Sequence, residues 1–161
     1  MGRIVQLQEL IAIRREARHH GLCVVFTNGC FDLLHRGHVE LLVKAKELGD
    51  ILIVGLNSDQ SIKKIKGEKR PIQKDADRAY ILAHLEPVDY VVIFNESTPE
   101  KLIQQLKPDV LVKGGDYQLH EIVGKDIVEK AGGRVEIVSL VSGYSTQSII
   151  EEILSKFIDG D

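Results

Sequence analysis

The chain reads as an α/β protein: one domain built on a five-stranded parallel sheet with helices on both faces. Three observations predict this. Short apolar runs alternate with helical stretches of about ten residues along nearly the whole chain, the pattern of successive βαβ units. The length, 161 residues, is that of a single domain, and no repeat, low-complexity tract or linker divides it. Hydrophobic residues make up 43% and charged residues 28%, enough apolar material for a buried core.

The elements follow in order. Val5–His20 carries Leu7, Leu10, Ile11 and Ala17 on one side and is closed by Gly21, as a helix is. Leu22–Thr27 is short, apolar and β-rich, which suits a strand buried on both faces. Arg36–Leu48 is a helix ending at Gly49, and Ile51–Leu56 is the second strand. Ser58 caps a short helix that ends near Lys64, and Gly67 and Pro71 make Lys66–Gln73 a loop. Asp75–Leu85 is a helix and Asp89–Phe94 the third strand. Thr98-Pro99-Glu100 sets a cap, a proline and an acid in sequence, opening a helix that runs to Leu106. Val110–Lys113 is the fourth strand, Lys125–Lys130 a helix, Val135–Val138 the fifth strand and Ser145–Phe157 the last helix. Residues 1–21 thus form an N-terminal helix and 22–157 the core of a domain spanning 1–161.

Net charge is -3, which argues against a nucleic-acid partner for the protein as a whole. The charge is uneven. Between Ser61 and Lys74, six basic residues face one acid, Glu68, so that segment stands at +5 and the remainder at -8. A local basic patch on an acidic protein suits a small polyanion. Cys23 and Cys30, the only cysteines, are too few for a disulfide scaffold. No apolar run is long enough to span a membrane, and Gln6, Gln8 and Glu9 interrupt any secretory segment at the start. The expected setting is the reducing cytoplasm, with no membrane partner.

In parallel sheets, ligands bind beyond the carboxyl ends of the strands. The polar, glycine-bearing loops fall there. After the first strand comes Asn28-Gly29-Cys30-Phe31-Asp32-Leu33-Leu34-His35-Arg36-Gly37-His38. Lys113-Gly114-Gly115-Asp116-Tyr117 follows the fourth strand, and Gly143-Tyr144-Ser145-Thr146 the fifth. His35 and His38 are three apart at a helix start, so they share one face. Free N–H groups and the helix dipole attract anions there, and Gly37 lets a phosphate come close to the backbone. A buried core histidine with a capping partner is the plain alternative, and a zinc site lacks further ligands nearby.

Other candidates carry weaker signals. Lys66 and Arg70 fit phosphate contacts, though a charge run is as readily a solvated surface. Arg78 opposes the dipole of its own helix start, a conflict that hints at a purpose; an exposed side chain or a pair with Asp75 is the alternative. The glycines beside Lys113 permit close approach of a base and ribose, with Asp116 on a ribose hydroxyl, or else form a plain turn. Ser145 and Thr146 open a helix, as a second anion site or a simple cap. His19, His20, His84 and His120 carry no motif, and Cys30 reads as packing.

The string from Asn28 to His38 resembles the Gly-x-Phe-Asp-x-x-His-x-Gly-His signature of the cytidylyltransferase-like nucleotidyltransferases. The resemblance covers about Leu22 to Leu154 and is finest to the adenylyltransferase domain that makes ADP-heptose. It is carried further by Gly55-Leu56-Asn57-Ser58-Asp59, Arg70-Pro71-Ile72, Val112-Lys113-Gly114-Gly115-Asp116-Tyr117 and Gly143-Tyr144-Ser145-Thr146-Gln147-Ser148-Ile149-Ile150. It implies a Rossmann-like domain that transfers AMP from ATP to D-glycero-β-D-manno-heptose 1-phosphate and releases pyrophosphate, in surface-glycan (lipopolysaccharide) biosynthesis. Catalysis would rest on His35, His38, Lys66 and Arg70. Nucleotide contacts would come from Thr27, Asn28, Gly29, Cys30, Phe31, Asp32, Gly37, Lys113, Gly115, Asp116, Tyr144, Ser145 and Thr146. Asn57, Asp59 and Arg78 would meet the sugar phosphate. Asp32 reads as a carboxylate behind the phosphates or on the metal side, with a turn or helix-cap Asp as the alternative. Mg²⁺ would ride on the triphosphate, with no metal held by the protein itself, and relatives suggest a homodimer. The same activity occurs fused to a sugar kinase; the length here suggests the stand-alone transferase. A cytidylyltransferase acting on glycerol 3-phosphate or phosphoethanolamine, a nucleotide-coenzyme adenylyltransferase and a non-catalytic nucleotide sensor are the competing readings.

Overall fold

The computed structural model describes residues 1–115 and 117–158. The sheet is wholly parallel and has six strands: β1 (Arg3–Ile4), β2 (Val24–Gly29), β3 (Ile51–Asn57), β4 (Tyr90–Phe94), β5 (Val110–Gly114) and β6 (Arg134–Val138), in the order β1-β4-β3-β2-β5-β6. The strand beyond the expected five is β1. Its two residues are too few to show a period, and its pairing with Tyr90 and Val91 is a contact across most of the sheet's sequence. Val5, expected to open the first helix, instead prolongs this edge: its N–H donates to Val91 O, and it is 3% exposed.

Seven α-helices and a short 3-10 helix (Leu119–Glu121) complete the described chain: α1 (Leu7–His19), α2 (Arg36–Lys46), α3 (Asp59–Lys66), α4 (Asp75–Ala83), α5 (Glu100–Leu106), α6 (Lys125–Lys130) and α7 (Thr146–Phe157). Successive side chains of a strand point to opposite faces, so β2 feeds two cores. Val25 packs with Leu41, Leu42 and Ala45 of α2 and with Ala79 and Leu82 of α4. Val24 and Phe26 pack with Leu10 and Ala17 of α1, Leu102, Ile103 and Leu106 of α5, and Val128 of α6. Val24, Val25 and Phe26 are all 0% exposed, as a strand covered on both sides requires. By contrast α7 buries none of its residues.

Chain order reverses its direction across the sheet between β2 and β5. Those strands pair only at Val25–Val110 and Phe26–Leu111, and β5 then continues beside β6 alone. Beyond Phe26, β2 keeps β3 as its partner through Gly29–Leu56. A crevice therefore opens at the carboxyl ends of β2 and β5, the place where such sheets bind ligands.

At the opposite end, Asp109 locks α1 to the sheet. It receives a forked pair of bonds from Arg14, at 2.8 and 2.9 Å, and the N–H of Val24 at 2.8 Å. Arg14 is 5% exposed, so its charge depends on that carboxylate. Asp109→Ala should cost about 3 kcal/mol of stability, read as a lower urea midpoint with an unchanged slope.

Candidate active site

The crevice holds two adjoining chambers of about 430 and 540 Å³. Asn28, Gly29, Cys30, Phe31 and His38 line both, as do Lys66, Arg70, Tyr117 and Thr146. Most of the residues expected at the site thus meet in one place. The first chamber adds Asp32, Asn57, Ser97, Thr98, Lys113 and Glu121; the second adds His35, Gly37, Gly114, Tyr144 and Ser145.

The two imidazoles stand at the start of α2, stacked with ring centroids 3.8 Å apart and planes at 23°. Gly37 keeps them so: a Cβ there would come within 3.1 Å of the His35 ring. Burial, then the charges of His35 and Lys66, push the His38 pKa down to about 4, and burial lowers that of His35. Near neutrality both rings are uncharged. The His35 backbone N–H approaches His38 Nδ1 at 3.4 Å, which leaves the proton of the neutral ring on Nε2, available to the cleft. His35 Nδ1 is buried without a partner. A polyanion arriving here would raise both pKa values and meet charged donors.

Asp32 is 1% exposed and accepts three bonds, from Arg70 Nε at 2.8 Å, Ile72 N at 2.8 Å and Gln73 N at 2.9 Å. Burial alone would raise its pKa, but the Gln73, Ile72 and Arg70 bonds outweigh it and the net shift is downward. Of the two readings of Asp32, these bonds favour the carboxylate behind the phosphates over the metal side: both oxygens help to hold the basic loop to the motif. Its carbonyl accepts from Thr146 Oγ1 at 2.7 Å, tying the start of α7 to the same point. Among the described residues, no group of three His, Cys, Asp or Glu is arranged to hold a metal ion.

Arg78 and Asp59 need correction as substrate contacts. Arg78 is 0% exposed, and its guanidinium donates to Gln73 O, Cys30 O, Asn57 O and Asp59 Oδ1 at 2.7 to 2.9 Å. The cation that opposes its own helix dipole is balanced by four acceptors from three loops. Asp59 also accepts from the Asp75 N–H, while Asp75 accepts from the Asp59 N–H, so the two acids cap each other's helices. Asn57 does line the first chamber, with its amide donating to Ser61 Oγ at 2.9 Å.

The remaining expectations divide. Ser145 caps α7 through the Ser148 N–H, and the Tyr144 ring lies 5.7 Å from the Arg36 guanidinium carbon. Thr27 is 1% exposed with an unpartnered hydroxyl and lines neither chamber. Gly114 lines the second chamber, whereas Gly115 donates its N–H to Val138 O at 3.1 Å. Asp116 lies outside the described residues. Sequence reasoning missed Ser97, Thr98, which was taken only as a helix opening, and Glu121. Their position after the carboxyl ends of β4 and β5 was the available signal.

Two outcomes follow. Arg78→Met leaves the half-buried Asp59 carboxylate and three carbonyls short of donors and should cost about 3 kcal/mol, seen by denaturant unfolding before any effect on binding is measured. The second concerns acid. The folded value of about 4 for His38 lies below the ordinary 6.5, so between them the unfolded chain binds more protons. Stability is full above 6.5 and falls as pH drops towards 4; Asp32, also lowered, adds a loss in the same direction below the usual carboxylate range. Urea titrations across this window should show the decline, and His38→Gln should flatten its upper part.

Comparison with known proteins agrees with this geometry. Residues 26–155 match the cytidylyltransferase-like family. "Bifunctional protein HldE" of Geobacter metallireducens is 56% identical over 97% of this chain and 32% of its own length. The HldE protein of Citrifermentans bemidjiense is 59% identical over 88% of this chain and 29% of its own. The chain thus spans about a third of the length of these curated relatives. A crystal structure described as the lipopolysaccharide core biosynthesis protein of Thermoplasma volcanium superposes with a TM-score of 0.62 at 31% identity, covering 78% of this chain and all of that one. A pantoate-β-alanine ligase from Francisella tularensis, at 20% identity and a TM-score of 0.64, shares the fold over all of this chain and 80% of its own. With the family signature in the cleft and a family match over most of its length, this chain belongs to the cytidylyltransferase-like nucleotidyltransferases.

Proposed function

We propose that the chain transfers AMP from ATP to D-glycero-β-D-manno-heptose 1-phosphate, giving ADP-heptose and pyrophosphate. The observation that carries nucleotide transfer is the pair of stacked imidazoles on the opening turn of α2, facing a cleft lined by Lys66 and Arg70. The heptose is supported by the Lys113–Tyr117 and Arg70–Ile72 motifs and by identities of 53 to 59% to proteins named HldE. Those relatives are called bifunctional and are about three times as long, so the portion matched here would carry one of two activities.

The chemistry asks little of a base. The nucleophile is a phosphate oxygen on the sugar, already an anion. Its bond to the α-phosphorus forms as the bond from that phosphorus to the bridging oxygen breaks, and pyrophosphate leaves. No proton is moved and no covalent enzyme intermediate is formed. The protein's task is in-line placement and neutralisation of the growing charge. On this reading the N–H groups of Arg36 and Gly37 at the start of α2 and the His38 Nε2–H meet the phosphates, and Asp32 holds Arg70 in the same cleft. Mg²⁺, arriving on the nucleotide, would offset further charge on the leaving group. A cytoplasmic setting belongs to the same reading, and a homodimer is proposed on resemblance alone, which sedimentation measures directly.

The test supplies ATP or CTP, Mg²⁺ and a panel of sugar and alcohol phosphates, and measures pyrophosphate release. Release with ATP and the heptose phosphate supports the proposal; release only with CTP and glycerol 3-phosphate or phosphoethanolamine replaces it. His35→Ala and His38→Ala should each lower turnover about a hundredfold, the scale of losing one placed donor, with the fold intact by circular dichroism. Wild-type turnover in both variants would refute the site.

A further inference from the structure

We propose that the first chamber seats the phosphorylated acceptor and that Lys113 grips its phosphate. This rests on the function proposed above and differs from the sequence expectation, which put Lys113 on the nucleotide.

The two chambers differ in what they offer beyond their shared wall. Only the second is lined by Gly37 at the start of α2 and by Tyr144 and Ser145 at the start of α7. Two helix openings suit the polyphosphate of the nucleotide. Only the first is lined by Asn57, Ser97, Thr98, Lys113 and Glu121. Hydroxyls, an amide and a carboxylate beside one ammonium match a polyol that bears a single phosphate.

Among the described residues, Lys113 is the one cation that lines the first chamber and not the second, and it calls for an anion. It is partly buried on β5, and its ammonium donates to Asn28 Oδ1 at 2.9 Å. That partner is neutral, and no carboxylate of the described residues pairs with Lys113. Burial lowers its pKa, the mark of a charge short of compensation. Arg70 differs, since its charge is already matched by Asp32. The Lys113–Asn28 bond also spans the crevice between the ends of β5 and β2. An acceptor phosphate on Lys113 would therefore lie against the wall shared with the nucleotide chamber, as in-line attack on the α-phosphorus requires.

The test uses the full chain with D-glycero-β-D-manno-heptose 1-phosphate. Calorimetry measures its binding to protein loaded with a non-hydrolysable ATP analogue, and initial rates give KM for each substrate. Lys113→Met should weaken sugar-phosphate binding and raise its KM at least tenfold, with ATP-analogue affinity and the KM for ATP changed less than twofold. Lys113→Arg, which keeps the charge, should recover most of the loss, whereas a merely structural lysine would not discriminate between the substrates. The joint variant Ser97→Ala, Thr98→Val should weaken the sugar phosphate and leave the analogue alone. Loss of analogue binding in Lys113→Met, equal loss of both ligands, or sugar-phosphate binding that ignores the variant would each overturn the assignment, as would failure of the wild type to bind the sugar phosphate. Sugar-phosphate binding that depends on Lys113 without any nucleotide transfer would retain the subsite and refute the proposed function instead.

Discussion

The buried carboxylate of Asp32 organises this cleft. It sits between Phe31 and Leu33, both at positive φ (46° and 57°), a conformation bulky side chains rarely adopt. Strain of this kind costs on the order of 1–3 kcal/mol per residue and persists only where the surroundings over-determine it. Here they do. Two backbone N–H groups and a guanidinium converge on the carboxylate, each such bond to a charged group contributing about 2 kcal/mol. The hydroxyl of Thr146 takes the carbonyl of the same residue. The signature loop, the basic loop and the last helix are thereby joined at one side chain, and the basic loop acquires a fixed place beside the histidines.

Arg78 does for the back of the cleft what Asp32 does for its front. Its four bonds join the carbonyls of Cys30, Asn57 and Gln73 to Asp59, so the ends of β2 and β3 and the start of α4 move as one body. These two buried charges face inward and are satisfied by the protein. The groups turned to the cleft are of another kind. The imidazoles are held neutral, and among the described residues Lys113 has only an amide for company. A site prepared this way has low resident charge and gains donors when an anion enters.

The alternation of strand and helix was legible because each core strand is covered on both faces and its apolar run is unbroken, as in Val24-Val25-Phe26. The loops that hold the site were legible for a topological reason: glycine and polar residues after parallel strands fall on one edge whatever the strand order. What escaped was non-local. The edge strand Arg3–Ile4 has no pattern of its own and exists by pairing with β4. The ties of Asp32 reach residues 38 to 41 positions away, and nothing in local spacing announces them. Arg78 was noticed through its conflict with the helix dipole. That conflict pointed to a real constraint, but the constraint proved to be bracing rather than recognition. From one chain, a charge that breaks a local rule can be located, while the partner that resolves it cannot.

The distribution of such conflicts carries its own argument. Two bulky residues at positive φ, two stacked and desolvated histidines, an unpartnered buried imidazole nitrogen and a half-buried ammonium with no counter-ion among the described residues each work against stability. In the described chain they gather at the carboxyl ends of β2 and β5 and in the turn that follows β2. At the other end of the sheet, Arg14 and Asp109 form a paired cluster, with Lys107 beside them also at positive φ (46°). The cleft end holds donors open for a ligand that the protein's own groups leave unmatched.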